Sequence, residues 1–347
     1  MKKTLAALIV TAFAASAANA AVVYDNEGTK VELGGSLRLI MEKADKKEYD
    51  RANHSTKKAN SALRNAGSRF GVKVKHNLDN DFYALGNLEL RFDDTTSRDK
   101  FGGAYAKRAY VGLGSQSVGE IKFGRQLTIA DDLSQANDYE YGFIPKGDYI
   151  PTSGTGVVRY DYKGIEGLQL SANYNFGQTN NEKGKPLNPG IKNAYAVGAL
   201  YTAGDLDARL AYGHTNFETG ASYAHRLDGV LASLGYKFGD FTLTGDFAYG
   251  HEKFDDEKTN KFYVAPGFAY QVLPASKVYG NYLYERVKGE NTKDKTHGFL
   301  LGADYKLHKQ VVLFVEGKYV TTKEYVNDTY DGKTKDKAIG VGMRVFF

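Results

Sequence analysis

The chain has 347 residues, with 46 Lys+Arg against 41 Asp+Glu, a formal net charge of +5, and 39 Gly, 26 Tyr and 19 Phe against 6 Pro and no Cys or Trp. So mild a positive balance gives no electrostatic footprint for nucleic acid, and the lack of cysteine excludes a disulfide framework. A mean hydropathy of −0.47 reads as water-soluble on a sliding window, yet the alternating strands of a membrane barrel give only a weak signal per segment.

The first residues are a targeting segment. Lys2 and Lys3 form a charged start, Leu5 to Ala15 an apolar stretch, and Ala18-Asn19-Ala20 a small-residue cleavage site. This is the grammar of a secretory signal peptide, with cleavage expected after Ala20. Its removal takes two lysines and no acids. Beyond it no run reaches the roughly 18 apolar residues of a spanning helix.

Strand-like segments then recur to the end of the chain, near 29–41, 66–77, 82–93, 104–114, 119–126, 155–162, 168–176, 192–202, 206–217, 227–238, 241–252, 261–272, 277–288, 296–306, 310–322 and 337–347. Most have the roughly 9–11 residues that a tilted membrane strand needs. Connections alternate in length. Those at 78–81, 115–118, 163–167, 203–205, 239–240, 273–276 and 307–309 are tight and carry turn residues. Those at 42–65, 127–154, 177–191 and 323–336 are long and charged.

Within the segments, apolar and polar residues alternate. Phe82, Ala84, Gly86, Leu88, Leu90 and Phe92 oppose Tyr83, Leu85, Asn87, Glu89 and Arg91; Leu206, Ala208, Leu210 and Tyr212 oppose Asp207, Arg209, Ala211 and Gly213. The last ten residues put Ile339, Val341, Met343, Val345 and Phe347 on one face and Ala338, Gly340, Gly342, Arg344 and Phe346 on the other. Aromatics cluster at strand ends, as interfacial girdles require. Alternation alone does not fix which face is outside; the export signal, the terminal aromatic and the strand number favour apolar-out. The expected fold is all-β: a 16-stranded antiparallel transmembrane barrel, residues 21–347 as one domain, with short periplasmic turns, long extracellular loops and the loop at 127–154 folded inward.

A barrel of this size encloses water. The 127–154 loop carries Asp131, Asp132, Asp138 and Glu140, and parity places Arg38, Arg69, Lys73, Arg91, Arg108 and Arg159 on lumen faces. Acids facing bases would set a transverse field across a narrow zone. Arg125 shares the outward parity of Ile121 and Phe123, so it is expected at the rim or in a protomer interface, paired with a neighbour's Asp93 or Asp94, unless a bulge redirects it. The seven His show no zinc spacing, and there is no P-loop and no Gly-x-Ser-x-Gly elbow. Neither enzyme activity, metal nor cofactor is expected.

Several motifs carry a resemblance. Residues 21–35, Gly67-Ser-Arg-Phe-Gly71, Ala109-Tyr-Val-Gly-Leu-Gly114, Gly119-Glu-Ile-Lys-Phe-Gly-Arg-Gln126, Val158-Arg-Tyr-Asp161 and Val345-Phe-Phe347 are similar to segments of Gram-negative general porins, among them the major outer-membrane porins of the Haemophilus and Pasteurella group. The resemblance implies a homotrimer in the outer membrane, among lipid and lipopolysaccharide, whose third loop narrows a channel for passive diffusion of small hydrophilic solutes and ions. Arg69 and Arg108 match members of the family's basic cluster, and Arg38 matches more loosely. The family's usual acidic stretch is missing from the loop, so Asp131, Asp132, Asp138 and Glu140 inherit that role collectively. Phe347 would be the assembly signal. The other readings are a channel specific for sugars or nucleotides, and a surface adhesin.

Overall fold

The structure, a computed structural model, describes residues 20–50, 54–58, 61–93, 99–219 and 224–347; residues 1–19 of the expected targeting segment lie outside the described residues. The strands are β1 (Ala21–Asn26), β2 (Thr29–Asp50), β3 (His54–Lys58), β4 (Ala62–Asn65), β5 (Arg69–Asn77), β6 (Phe82–Asp93), β7 (Gly103–Ser115), β8 (Gly119–Leu127), β9 (Ser153–Ile165), β10 (Leu168–Asn175), β11 (Gln178–Asn180), β12 (Pro186–Ala203), β13 (Leu206–Phe217), β14 (His225–Phe238), β15 (Phe241–Phe254), β16 (Glu257–Leu273), β17 (Ser276–Lys288), β18 (Thr292–His308), β19 (Val311–Val326) and β20 (Thr329–Phe346).

These segments make sixteen staves of one closed antiparallel sheet. β3, β4 and β5 lie end to end along one edge of β2. β10 and β11 together flank β12. Closure happens on the other edge of β2. There β1 pairs with Thr29–Leu33, and β20 pairs with Ser36–Asp50. The junction is sealed by Gly35 N–H donating to the Phe347 carbonyl at 2.9 Å and Phe347 N–H to the Gly35 carbonyl at 3.2 Å. A sheet in lipid has no water for its edges, so only this closure satisfies the backbone.

Strand positions follow the sequence reading, and β6 and β13 coincide with it at both ends. The long connections do not. Segments 42–65, 177–191 and 323–336 are mostly ladder: β2 runs on to Asp50, β12 begins at Pro186, and β19 and β20 join through Asn327-Asp328, both at positive φ (48° and 58°). Above the membrane both faces of a strand meet water, so the apolar alternation stops while the hydrogen-bond ladder continues. Ion pairs such as Lys318–Asp336 (2.7 Å) and Lys337–Asp45 (3.3 Å) line these extensions. Residues 128–152 are the true long loop, with two short 3-10 turns, Ile129–Leu133 and Lys146–Asp148.

The apolar parity faces outward. Leu37, Met41, Val111, Leu210, Leu301 and Val341 are all exposed. Buried apolar residues instead lie inside the barrel, between loop and wall: Ile129, Leu133, Tyr149 and Ile150 against Ala196, Ala211, Leu231, Ala248 and Tyr263. An arginine at Leu210 would face lipid and is expected to lower folding stability in vesicles by about 2–4 kcal/mol near midplane. Thr242→Arg, on the lumen parity of β15, is expected to stay within about 0.5 kcal/mol. Urea titration of vesicle-folded protein measures both.

Candidate functional site

The 128–152 loop leaves the wall at β8 and returns at β9. Its two ends are clasped together, Thr128 N–H donating to the Thr152 carbonyl at 3.0 Å and Thr128 Oγ1 to the Pro151 carbonyl at 2.6 Å. A loop inside a barrel buries backbone N–H groups, and each needs an acceptor. Acidic and amide side chains of the wall supply them. Ile129 N–H donates to Asn173 (3.2 Å), Gln135 N–H to Asp246 (3.0 Å) and Asn137 N–H to Asn281 (3.3 Å).

The strongest fastening is Glu316, fully buried on β19. Its carboxylate accepts the N–H groups of Tyr139 (2.7 Å), Glu140 (2.8 Å) and Tyr141 (2.5 Å), and the Tyr279 hydroxyl at 2.8 Å. An ionised carboxylate only accepts, and charge-assisted bonds are the strong ones. Tyr139 and Tyr149 then reach Asp304 (2.7 Å) and Glu285 (3.0 Å). Tyr139 stacks on Phe314 at 4.7 Å between centroids.

The wall is also shaped for the loop. Gly213, Gly229 and Gly250 are direct cross-strand neighbours on β13, β14 and β15. A Cβ at Gly213 would lie 2.6 Å from Ile150, and one at Gly229 would collide with the Tyr149 carbonyl. The loop backbone therefore rests where the wall has no side chains.

The sequence-derived residues divide accordingly. Arg38 is buried on β2, opposite Arg344 of β20, with its Nε on Ser36 at 2.7 Å. Arg69 is the cross-strand partner of Arg91. Arg91 donates to Glu89 at 2.6 Å, and Arg108 lies 3.9 Å from the same carboxylate. These four arginines and Arg344 form one basic wall.

Lys73 is corrected out of it. It shares their parity but lies four residues toward the short-turn end, roughly 13 Å along β5 at 3.3 Å per residue, and is exposed. Parity fixes the face of a residue, not its height.

Arg159 sits apart on β9, clamped by Asp132 at 2.7 Å and Asp161 at 3.0 Å. Asp132 is thus spent on anchoring the loop base. Asp131 lies 3.5 Å from Lys146 within the loop. Glu140 pairs with Arg64 at 2.7 Å; burial raises its carboxyl pKa, against the pull of Arg64.

Asp138 is exposed to the lumen. Enclosure by protein first, and the negative Glu316 second, push its carboxyl up to about 6. Because that shift is upward, ionisation above pH 6 works against the folded loop rather than for it.

Arg125 sits at a bulge beside Gly124, whose φ is +133°. Its guanidinium donates to the carbonyls of Ala106 (2.9 Å) and Glu182 (3.1 Å), and Asp93 pairs with Lys183 at 2.7 Å. The bulge redirects the side chain, Arg125 and Asp93 both have partners within their own chain, and Asp94 lies outside the described residues.

Glu316, Asp246 and Arg344 were not singled out from the sequence. A lone acid between the outward residues Val315 and Gly317 carried the usable signal, since an ionisable residue at membrane depth is functional by default.

Glu316→Ala strips the acceptors from four donors at about 1.5–3 kcal/mol each. Single-channel recording is expected to show a larger, noisier conductance. Glu316→Gln should act in the same direction but less, because its amide NH2 would face another N–H. A second expectation concerns pH. Lowering it from 7 to 5 should raise anion over cation permeability with a midpoint near 6, and Asp138→Asn should abolish the change in reversal potential.

A family described as Gram-negative porin matches residues 4–325 of this chain. The "Major outer membrane protein" of Pasteurella multocida (strain Pm70) is 33% identical over 377 residues, covering 100% of both chains. Among solved structures, the anion-selective porin from Comamonas acidovorans has a TM-score of 0.69 at 19% identity, covering 92% of this chain and 100% of that one. The trimer form of OmpT from Vibrio cholerae has a TM-score of 0.69 at 18% identity, with the same coverage. A sealed sheet, greasy outside and wet within, and a full-length relative both lead to one assignment: the chain belongs to the Gram-negative porin family and is an integral outer-membrane channel.

Proposed function

We propose that the channel is a passive, weakly anion-favouring pore that works as a homotrimer and catalyses no reaction. The observation that carries the selectivity is an imbalance of charge. Among the described residues, Arg38, Arg69 and Arg344 have no acid partner on the basic wall, and Arg91 and Arg108 share Glu89. Across from them the loop acids Asp131, Asp132 and Glu140 are each paired with a base, leaving Asp138 open to the lumen. A passing anion therefore meets net positive charge. Each charge about 8 Å away in water is worth roughly 0.5 kcal/mol, or about a twofold change in ion partition.

The trimeric Vibrio structure supports the oligomer by shared fold. The preference for anions rests on this chain's own arginines. The lumenal aromatics support an unspecific pore, because Tyr279 and Phe314 are buried under the loop rather than lined up for a sugar. Phe347, at the closure of the sheet, is the assembly signal in this proposal.

Planar-bilayer recording tests it. The expected result is a linear conductance inserting in steps of three, with a reversal potential in a KCl gradient that favours chloride. Arg38→Gln, Arg69→Gln and Arg344→Gln are each expected to cut the chloride preference about twofold. Saturable block by one sugar or nucleotide, or a cation preference in the unmodified protein, would overturn it.

A further inference from the structure

Segment 323–336 continues its own ladder above the membrane, up to Val326 paired with Thr329. The hairpin of β11 and β12 does something different. Between the pairs Gln178–Ile191 and Asn180–Pro186 its register shifts, so two steps along β11 oppose five along β12. A strand with surplus residues takes the outside of a bend, and the inside of this one faces β9, where Thr155 N–H donates to Gln178 Oε1 at 2.8 Å. The tip itself is tightly built. Asn181 Oδ1 accepts the N–H groups of Lys183 and Lys185, each at 3.0 Å, and Asn181 N–H closes the turn onto the Lys185 carbonyl at 2.9 Å. Gly184 supplies the left-handed φ of +75° that the turn requires.

Aimed sideways, the tip meets the tops of four other staves. The Glu182 carboxylate pairs with Lys107, the extra residue of a bulge in β7, and accepts from Ser153 Oγ of β9 at 3.4 Å. The Glu182 carbonyl accepts from Arg125 of β8 at 3.1 Å. Lys183 pairs with Asp93 of β6 at 2.7 Å and lies 5.8 Å from the ring centroid of Tyr105 on β7. From β10 to β6 is a run of four neighbouring strand pairs, roughly 19 Å of rim at about 4.8 Å each. Asp93 shares the lumen parity of Glu89 and Arg91, and Tyr105 is the cross-strand partner of Arg91. Lys183 is therefore tied on the lumen side, roughly 7 Å above Arg91 along β6. Isolated surface ion pairs hold little, but these four charged side chains are only between 14% and 23% exposed, and Arg125 and Ser153 join them in one network. Each tie matches one acid with one base, so the crossing brings bulk to the mouth and no net charge.

We infer that the 181–185 tip is a second specificity element of the channel: a charge-neutral strap, tied by Glu182 to Lys107 and by Lys183 to Asp93, that limits by size which solutes reach the arginines from the long-loop side. The inference rests on the passive-pore reading and divides its labour. The arginine wall sorts solutes by charge, and the strap above it excludes bulky ones whatever their charge. Solutes entering from the short-turn side do not meet it, so the two mouths of the channel differ in the size they admit.

The test uses polyethylene glycols of graded size, added to one side of a single channel at a time; they lower its conductance only when they fit the mouth they meet. The unmodified protein is expected to show two cut-offs, the smaller on the long-loop side. The fourfold variant Asp93→Asn, Lys107→Gln, Glu182→Gln and Lys183→Gln cuts both ties at constant net charge. Its smaller cut-off should rise to meet the larger, while its chloride preference moves by less than about twofold. Lys183→Glu, which reverses one tie and serves if the fourfold variant does not fold, should raise the same cut-off. Adding Asp93→Lys to it should bring the difference between the two sides back, a recovery that general damage to the rim would not allow. Equal cut-offs on the two sides of the unmodified channel, an unchanged smaller cut-off in the cut variants, or no recovery in the charge swap would each overturn the inference. The pore reading fails by a different result, a cation preference or saturable block in the unmodified protein, so the two failures are separable.

Discussion

The structure depends on one constraint: in hydrocarbon, every backbone N–H and carbonyl must find a partner within the protein. A single unpaired edge would leave a row of such groups in lipid at several kcal/mol each. The chain meets the constraint by dividing the last stave between its two ends, with β1 and β20 sharing one side of β2 and Gly35 bonded to Phe347 where they meet. Once the sheet is closed, the period-2 geometry of a strand forces the rest. One parity faces lipid, the other encloses water, and any charge at membrane depth belongs inside.

The lumen then poses a second problem, because the loop that crosses it brings buried backbone of its own. The wall answers asymmetrically. From β10 to β19 it offers small residues, glycines and acceptors, and the loop docks there. From β20 through β2 to β7 it offers arginines. In the proposed pore the same loop sets both the width and the charge of the passage. Glu316 is central to both effects. It binds three consecutive N–H groups, and it adds negative charge close to Asp138.

Strand positions and facing were legible because lipid and water enforce alternation residue by residue; Leu206 to Gly213 shows it without a break. Legibility ended where that contrast ended. Above the membrane both faces of β19 and β20 are wet, so residues 323–336 look like loop although they are ladder. The site was legible by class and not by partner. Parity found Arg38, Arg69, Arg91 and Arg108, but could not give height, so Lys73 was grouped with them. It could not reveal that Asp132 is consumed by Arg159, because that contact joins residues far apart in the chain. The docking row Gly213, Gly229 and Gly250 is invisible in any one strand and exists only in the register among three.

The most direct test of the account is the sense of alternation itself. The chain has no native cysteine, so single cysteines can be placed along β5 in protein folded into vesicles and challenged with a charged, membrane-impermeant thiol reagent. Cysteines replacing Lys73 and Lys75 should react, through the water of the lumen, while those replacing Val72 and Val74 should stay silent. Equal reactivity at all four positions, or the reverse pattern, would contradict a sheet that holds lipid on one side and water on the other.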